Sequence, residues 1–270
     1  MFGFKWPDLP GISAVPVPPA SGFCAQYQTV YDTMLNKPSD PVAITQNTMA
    51  QTLVDGDVWG EGDLIYLPAQ EFNLAGEADI NWINPGTFPL VEVGVGALGW
   101  TSLEGYTGDG TNYLSTGWNP STDAINYLLD ACTIAIYLRV DINAAEVNIG
   151  CTNGVDQITL FPRLGGSFLA YINDGSSSKV VADSLGMFIV TRPDAATMTF
   201  YKNGADLGDS AKASTAIPND ILEILARGGG NLSNNQVSFV FIGGLLGDAE
   251  VITLSNAVNT YMTSNGKNVY

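Results

Sequence analysis

Histidine is absent from the 270 residues of this chain. Histidine is the commonest general base in enzymes and the commonest metal-ligating side chain. Its absence excludes a Ser-His-Asp triad, a Cys-His pair and a histidine-ligated metal site. Carboxylates remain as candidate catalytic groups.

Cysteine is scarce, with Cys24, Cys132 and Cys151 as the complete set. An odd number at no metal-ligand spacing argues against a disulfide framework. Cys132 and Cys151 lie in neighbouring predicted strands and could form one bridge. The alternative, which we favour, is that they are buried reduced thiols in a chain that folds in a cytoplasm.

Basic residues are also few: 10 Lys and Arg stand against 27 Asp and Glu, a formal net charge of −17. Binding to a phosphate backbone depends on Lys and Arg, so this balance argues against nucleic acid as a partner. It disfavours an anionic membrane surface for the same reason. A net negative charge of this size favours either the binding of cations or simply the solubility of the protein.

Long hydrophobic runs are missing, and no window reaches the length of a transmembrane helix. The segment Met1–Pro7 has no basic region, no continuous apolar run and no cleavage site. We therefore expect no signal peptide and no membrane insertion.

Proline is abundant only at the start of the chain. Residues 1–22 form a Pro-rich arm, in which proline density favours extended backbone. The large apolar residues of the arm are Phe2, Phe4, Trp6, Leu9 and Ile12. A free tail would be polar, so we expect this arm to lie on a surface, either on its own domain or on a partner subunit.

Residues 23–64 form a predicted helical segment, because apolar residues recur at helical spacing over residues 23–55. Pro38 ends the first helix; Asp40 is the predicted N-cap of the second, with Pro41 next to it. Gly56 is the predicted left-handed stop. This helical pair is too small to fold alone, so we expect it to pack on the domain that follows.

Residues 65–270 show many short β patterns separated by turn residues, which predicts a sandwich or a barrel. Residues 133–140 alternate cleanly, residues 78–85 read as a further strand, and Asn203-Gly204 is a strong two-residue hairpin signal. An amphipathic helix begins near Asp248 and ends at Asn265-Gly266. The predicted inter-sheet core comprises Ile134, Ile136, Leu138, Val140, Phe200, Phe239 and Phe241.

The predicted fold is therefore mainly β, an antiparallel jelly-roll-type sandwich with a short N-terminal helical pair and a C-terminal helix. The order of elements resembles the concanavalin A-like lectin and laminin G-like superfamily over residues 65–270. The resemblance lies in residues 104–114, the strand of residues 133–140, the hairpin at residues 201–204, and residues 242–244 before the last helix.

The start of the chain resembles structural proteins of tailed bacteriophages, in which such a module sits on a fibre, spike or decoration subunit. This second resemblance lies in residues 31–34, 37–39, 58–59 and 64–66. It implies a non-enzymatic virion protein, made in the host cytoplasm, that forms a homotrimer and attaches to other virion proteins through its arm. It leaves open whether the protein lies on the head or the tail.

The superfamily includes glycoside hydrolases that carry a Glu-x-Asp-x-x-Glu strand. Two segments begin that motif, at Glu61 and Asp63 and at Glu77 and Asp79, but Tyr66 and Trp82 occupy their third positions. Because retaining hydrolysis needs two carboxylates, we expect no catalytic residues and no enzymatic activity.

The alternative function is a carbohydrate-binding, lectin-like module that attaches to host surface glycans. The candidate glycan contacts are Trp82, Trp100, Tyr106, Asp109, Asn112 and Trp118, with the alternative that the aromatic residues are core. Asp109, between two glycines, could offer one oxygen to Ca²⁺, but a turn aspartate that bonds its own backbone is the preferred interpretation. We therefore expect no cofactor and no metal. Receptor identity is not predicted.

Overall fold

The structure is a computed structural model that describes residues 22–173 and 175–270. The arm residues Phe2, Phe4, Trp6, Leu9 and Ile12 lie outside the described residues. The helices are α1 (Ala25–Thr33), α2 (Asp40–Asp55) and α3 (Asp248–Ser264), with 3₁₀ turns at Trp59–Glu61 and Glu77–Asp79. The two predicted N-terminal helices and the C-terminal helix are confirmed.

The strands are short and follow one another closely along the chain. They are β1 (Gly62–Tyr66), β2 (Val91–Val93), β3 (Gly99–Thr101), β4 (Gly105–Thr107), β5 (Tyr113–Ser115), β6 (Cys132–Leu138), β7 (Ile149–Thr152), β8 (Gln157–Leu164), β9 (Ser167–Ile172), β10 (Gly175–Val180), β11 (Gly186–Arg192), β12 (Thr197–Lys202), β13 (Ala205–Ala211), β14 (Glu223–Ile224) and β15 (Gln236–Gly243).

In the part of the chain that the structure describes, these strands form two antiparallel sheets. Sheet A has the order β13-β12-β11-β6-β15-β4-β3, and β1 also pairs with β15. Sheet B has the order β10-β9-β8-β7-β14-β5-β2. The predicted β-sandwich is confirmed.

The core between the sheets follows from the two-residue period of the strands. Ile134, Ile136 and Leu138 of β6 point from sheet A toward sheet B, and Phe200 of β12 does the same. On sheet B, Phe168 completes the contact, with ring centroids 5.2 Å from Phe200. These four predicted core positions are confirmed.

A second core lies on the other face of sheet A, where the helices pack. Phe239 and Phe241 alternate with Val240 and therefore point to this face, toward α2 and α3, instead of into the sandwich. Both are fully buried, so the prediction of burial holds and the prediction of the face is wrong. Val140 is 37% exposed because β6 ends at Leu138.

Helix ends differ in detail from the sequence predictions. Ser39 is the N-cap of α2, and Asp40 is its first helical residue. Gly56 has φ −101°, and the left-handed residue is Asp57, with φ 58°. Gly56 serves close packing instead, because a Cβ there would lie 2.5 Å from Thr253 of α3. Gly247 is the N-cap of α3, while Asp248 begins the helix and accepts a hydrogen bond from Tyr201.

Of two further local predictions, one is confirmed and one is wrong. The hairpin at Asn203-Gly204 is confirmed, since both residues have positive φ (55° and 78°) between β12 and β13. Residues 78–85 are not a strand: they form the end of a 3₁₀ turn and an isolated bridge from Asn81 to Tyr66.

The cysteines are free thiols. Cys132 and Cys151 are buried between the sheets and form no disulfide, and Cys24 is half-buried at the start of α1. Burial raises the pKa of the Cys132 thiol to about 12, which keeps it protonated. The interpretation as buried reduced thiols therefore fits the structure. Among the described residues, no helix is long and apolar enough to cross a membrane.

Candidate functional site

The predicted glycan contacts do not form one cluster. Trp82 lies in the core beneath the helices, 5.7 Å from the Tyr27 ring, whereas Tyr106 and Trp118 lie between the sheets. All three are 1% exposed, so their ring faces serve packing. Because stacking on a sugar needs an open ring face, burial removes these three faces as a platform.

Of the other three predicted contacts, Trp100 and Asp109 lie nearer the surface, whereas Asn112 is buried and donates its side-chain amide to Asp109 at 2.6 Å. The half-buried Trp100 donates from its indole to the Pro68 carbonyl at 2.9 Å. The exposed Asp109 accepts from the backbone N–H groups of Thr111 and Asn112, each at 2.8 Å. These bonds lower the pKa of Asp109 to about 2. Asp109 is thus a turn aspartate, and its contact with a glycan stays a prediction.

The carboxylates of the incomplete hydrolase motif serve structure. Asp63 accepts backbone N–H bonds from Ile125, Asn126 and Tyr127 at 2.8–3.2 Å and fixes that loop. Glu77 accepts from the backbone and side chain of Asn36.

Asp79 accepts a 2.6 Å hydrogen bond from the Tyr106 hydroxyl. Desolvation raises the pKa of Asp79 to about 6, with smaller contributions from Glu92 and Glu77, while the Tyr106 bond opposes the rise.

A cleft of about 70 Å³ lies beside the edge of β1 opposite β15, and we call it the edge cleft. Three segments meet there: the start of β1, the chain that follows the second 3₁₀ turn, and the loop between β5 and β6. The edge cleft is lined by Gly62, Asp63, Asn81, Ile83, Asn84, Thr87, Phe88, Trp118, Asp123 and Ile125. Trp118 is therefore the predicted glycan contact that reaches a cavity.

Asn81 pairs with the edge of β1 opposite β15 and also lines the edge cleft. Its Oδ1 accepts the backbone N–H groups of Ile65 and Ile83, at 3.3 and 3.1 Å. These two donors fix the orientation of the amide, because an amide nitrogen could not accept them. Its Nδ2 is buried and has no partner among the described residues. A buried donor without a partner lowers the free energy of unfolding, and most buried donors have a partner. The unpaired amide of Asn81 is therefore an unusual feature of this cleft.

Hydrogen bonds hold the walls of the edge cleft in place. The hydroxyl of Tyr66 donates to the Phe88 carbonyl at 2.6 Å, and Phe88 itself has φ 49°. Positive φ at an aromatic residue is a strained conformation that the surrounding contacts must maintain. Asp123 is oriented by the Asn119 N–H, which it accepts at 2.8 Å.

The rim of the edge cleft combines an apolar and a polar side chain. Ile125 is 83% exposed, and Asn84 lies in the turn opposite it. Together the cleft offers carboxylate and amide groups beside apolar surface, which suits hydroxyl-rich ligands that also have apolar faces. Within residues 22–173 and 175–270, no group of three acidic or cysteine side chains is arranged to hold a metal ion.

Sequence reasoning found Trp118 but missed most of this cleft. The sequence Asn84-Pro85-Gly86 predicts a turn. The positive φ of Phe88 and the unpaired amide of Asn81, in contrast, depend on contacts with residues far along the chain. Loop residues placed by tertiary contacts carry no periodic signal.

Neither protein-family models nor curated proteins match this sequence. Solved structures do match its fold. A structure of botulinum neurotoxin type C, whose cell entry depends on interaction with two ganglioside molecules, aligns with a TM-score of 0.53 at 11% identity, over 76% of this chain and 53% of that one. A botulinum neurotoxin serotype D ligand-binding domain in complex with N-acetylneuraminic acid aligns with a TM-score of 0.52 at 8% identity, over 77% and 52%.

Domain 4 of an arabinanase from Geobacillus stearothermophilus, bound to arabinotriose, aligns over 72% of this chain and all of that one, at 10% identity. Its TM-score of 0.47 is too low to support an argument. The neurotoxin alignments show a shared β-sandwich fold and nothing finer, because identity is so low. The chain spans about half the length of those neurotoxin chains.

Proposed function

We propose that this protein is a carbohydrate-binding, lectin-like module and that the edge cleft is its glycan site. The observation that carries the proposal is the composition of the cleft: Asp123 and Asn84 stand beside the apolar side chains of Phe88 and Ile125. Sugars present hydroxyls around an apolar ring face, and a site with fixed polar groups beside apolar surface recognises both. The lectin-like fold supports the same class of function.

The support of the cleft walls favours binding. Asp63 and Asn81 use backbone bonds to hold the loops on either side of the cleft. A site that is already ordered loses little conformational entropy when its ligand binds. The strain at Phe88 points the same way, since strained residues concentrate at functional sites. The dependence of botulinum neurotoxin type C cell entry on gangliosides, and the serotype D domain bound to N-acetylneuraminic acid, support the class of ligand by analogy of fold.

The test is a glycan array probed with the full chain, followed by titration of the strongest binder. Ile125→Ala and Asn84→Ala remove exposed cleft groups without touching a core, and each should weaken binding by about tenfold, or 1.4 kcal/mol. Val155→Ala is the matched control, an exposed apolar residue in the turn between β7 and β8. If the three variants bind alike, or if no glycan binds, the proposal fails.

We further propose that the protein is not an enzyme. Asp63 and Glu77 are committed to backbone bonds, and Tyr66 and Trp82 stand where the hydrolase motif needs its last carboxylate. Turnover of a polysaccharide that disappears in Asp79→Asn would overturn this proposal.

A structural role in a phage particle is the second proposed function. The apolar and Pro-rich composition of residues 1–22 favours it, together with the sequence resemblance to fibre, spike and decoration subunits. In this role the protein is a homotrimer, and glycan binding serves attachment to the host. Measurement of the native mass in solution tests it, because a monomer at micromolar concentration would contradict a trimeric subunit.

A further inference from the structure

An exposed apolar depression lies between the α1–α2 connection and the loop that follows β1. It has a volume of about 350 Å³ and is lined by Leu35, Asn36, Lys37, Phe72 and Leu74. We call it the apolar depression. Leu35 is 81% exposed, Leu74 82% and Phe72 39%. A cluster of exposed large apolar side chains has a hydration cost that a bound segment would remove.

The two walls of the apolar depression are fastened together by carboxylates. Glu77 accepts the Asn36 N–H at 2.9 Å with one oxygen and the Ala75 N–H at 2.9 Å with the other. Glu71 accepts the Ser39 N–H at 2.6 Å. Both loops are therefore held in place before anything binds, which lowers the entropy cost of binding.

The described chain begins next to the apolar depression. The Phe23 ring lies 4.9 Å from the Tyr31 ring, between centroids. The Lys37 ammonium lies 4.6 Å from the centroid of that same Tyr31 ring. Tyr31 therefore contacts both Phe23, which lies just after residues 1–21, and Lys37, which lies in the wall of the apolar depression.

Residues 1–21 have a suitable composition and length to fill the apolar depression. Their charged side chains are Lys5 and Asp8, and their large apolar residues are Phe2, Phe4, Trp6, Leu9 and Ile12. Extended proline-rich chain advances about 3 Å per residue, so nine residues in that conformation would cover on the order of 30 Å. A linker of that length would place the residues around Leu9 and Ile12 within the neighbourhood of the apolar depression, because Tyr31 contacts both Phe23 and Lys37.

We propose that the apolar depression binds the apolar N-terminal residues of the same chain. The tether decides between this chain and a second copy, because a short linker gives an effective concentration in the millimolar range, by order of magnitude. A neutral, apolar segment also avoids the repulsion that an acidic partner would meet from a chain of net charge −17. This inference does not depend on the glycan proposal.

Limited trypsin digestion of the full chain tests the proposal, because Lys5 is the basic residue of this segment. Leu74→Asp and Leu35→Asp place a charge in the depression and should speed cleavage after Lys5 by about tenfold or more. Val155→Asp is the matched control at an exposed site in the turn between β7 and β8 and should leave the rate unchanged. Ile12→Asp, which changes the segment itself, should act like Leu74→Asp.

Far-UV circular dichroism and melting temperature of each variant show whether the fold is kept. Equal cleavage rates in wild type, Leu74→Asp, Leu35→Asp and Ile12→Asp would overturn the proposal. Protection that grows with protein concentration, together with a dimeric or trimeric mass, would also overturn it and assign the depression to the segment of another copy. Cleavage that is slow and independent of concentration in wild type, and fast in the variants, supports it.

Discussion

At the scale of single residues, Asp79 is a carboxylate whose pKa is raised for a clear physical reason. Its Oδ1 accepts from Tyr106, whose oxygen in turn accepts from Asn73 at 2.8 Å. Burial disfavours the charged form, and Glu92 and Glu77 add to this, so the pKa rises from 3.8 to about 6. A raised carboxylate pKa means that the folded state holds its proton more tightly than the unfolded state does.

The first prediction concerns pH. Because the folded pKa of Asp79 lies above the unfolded value of 3.8, its stabilising contribution is complete below about pH 4 and is lost as pH rises through about 6. Asp79→Asn keeps an acceptor for Tyr106 and removes this dependence. The variant should therefore gain stability relative to wild type as pH rises from 4 to 6.5, as measured by urea unfolding.

Asp109→Asn is the opposite control. Its folded pKa of about 2 lies below the unfolded value, so its contribution is present above about pH 4 and is lost as pH falls toward 2. Asp109→Asn should lose stability relative to wild type at neutral pH. Between pH 4 and 6.5 the stability difference between Asp109→Asn and wild type should stay constant, whereas that between Asp79→Asn and wild type should grow. If Asp79→Asn gains no stability relative to wild type over this window, the environment assigned to Asp79 is wrong.

At the scale of elements, the β12–β13 hairpin shows how one turn serves two strands. Asn203 has φ 55°, and its side-chain oxygen accepts the Met187 N–H on β11 at 2.7 Å. Its own N–H donates to the Met187 carbonyl at 2.8 Å. The asparagine therefore supplies both a left-handed turn residue and a cap for the neighbouring strand.

The second prediction separates these two roles. Asn203→Gly keeps positive φ accessible and loses the bond to Met187, which should cost about 1 kcal/mol. Asn203→Ala loses the same bond and adds the cost of a left-handed alanine, about 1–2 kcal/mol more. Chemical denaturation of the two variants measures the difference. Equal destabilisation would show that backbone conformation at this turn carries no cost.

The sequence predicts elements with strong local signals and misses those set by their neighbours. The alternation of β6 and the Asn203-Gly204 turn are local, and both are confirmed. The two-residue strand β14 forms because β5 and β7 flank it on both sides. Residues 78–85 have strand-like composition, yet Asn81 uses its side chain to close the edge of β1. Tertiary contacts override local propensity there.

The face of a strand is harder to predict when both faces are buried. In β15 all eight residues are buried, so Phe239 and Phe241 give no polar alternation that identifies the sandwich side. Alternation works for half-exposed strands and fails for a strand between two cores. The edge cleft was not predicted for a related reason, since its residues come from the start of β1 and from two loops that are distant along the chain. Burial of Trp82, Tyr106 and Trp118 removed the predicted aromatic cluster.

At the scale of the whole molecule, sheet A is shared by two cores. Its inner face packs on sheet B, and its outer face packs on α1, α2 and α3. The predicted boundary between residues 64 and 65 falls inside β1, which pairs with β15 along its length. The helices before this strand and α3 at the end of the chain cover the same face, and α2 packs directly on α3.

The third prediction is that both cores unfold in one transition. Phe200→Ala empties space between the sheets, and Phe241→Ala empties space beneath the helices; both residues are fully buried. Each should cost roughly 3–5 kcal/mol. Because the backbone of sheet A belongs to both cores, neither layer can melt while the other stays intact. Each variant should therefore lower the midpoint of one unfolding transition, and far-UV and near-UV circular dichroism should give the same midpoint.

Val140→Ala is the control, at the exposed position past the end of β6, and its free energy of unfolding should stay within about 0.5 kcal/mol of wild type. Two separate midpoints in Phe241→Ala, with the helical signal lost first, would show instead that the helical layer is an independent unit attached to the sandwich.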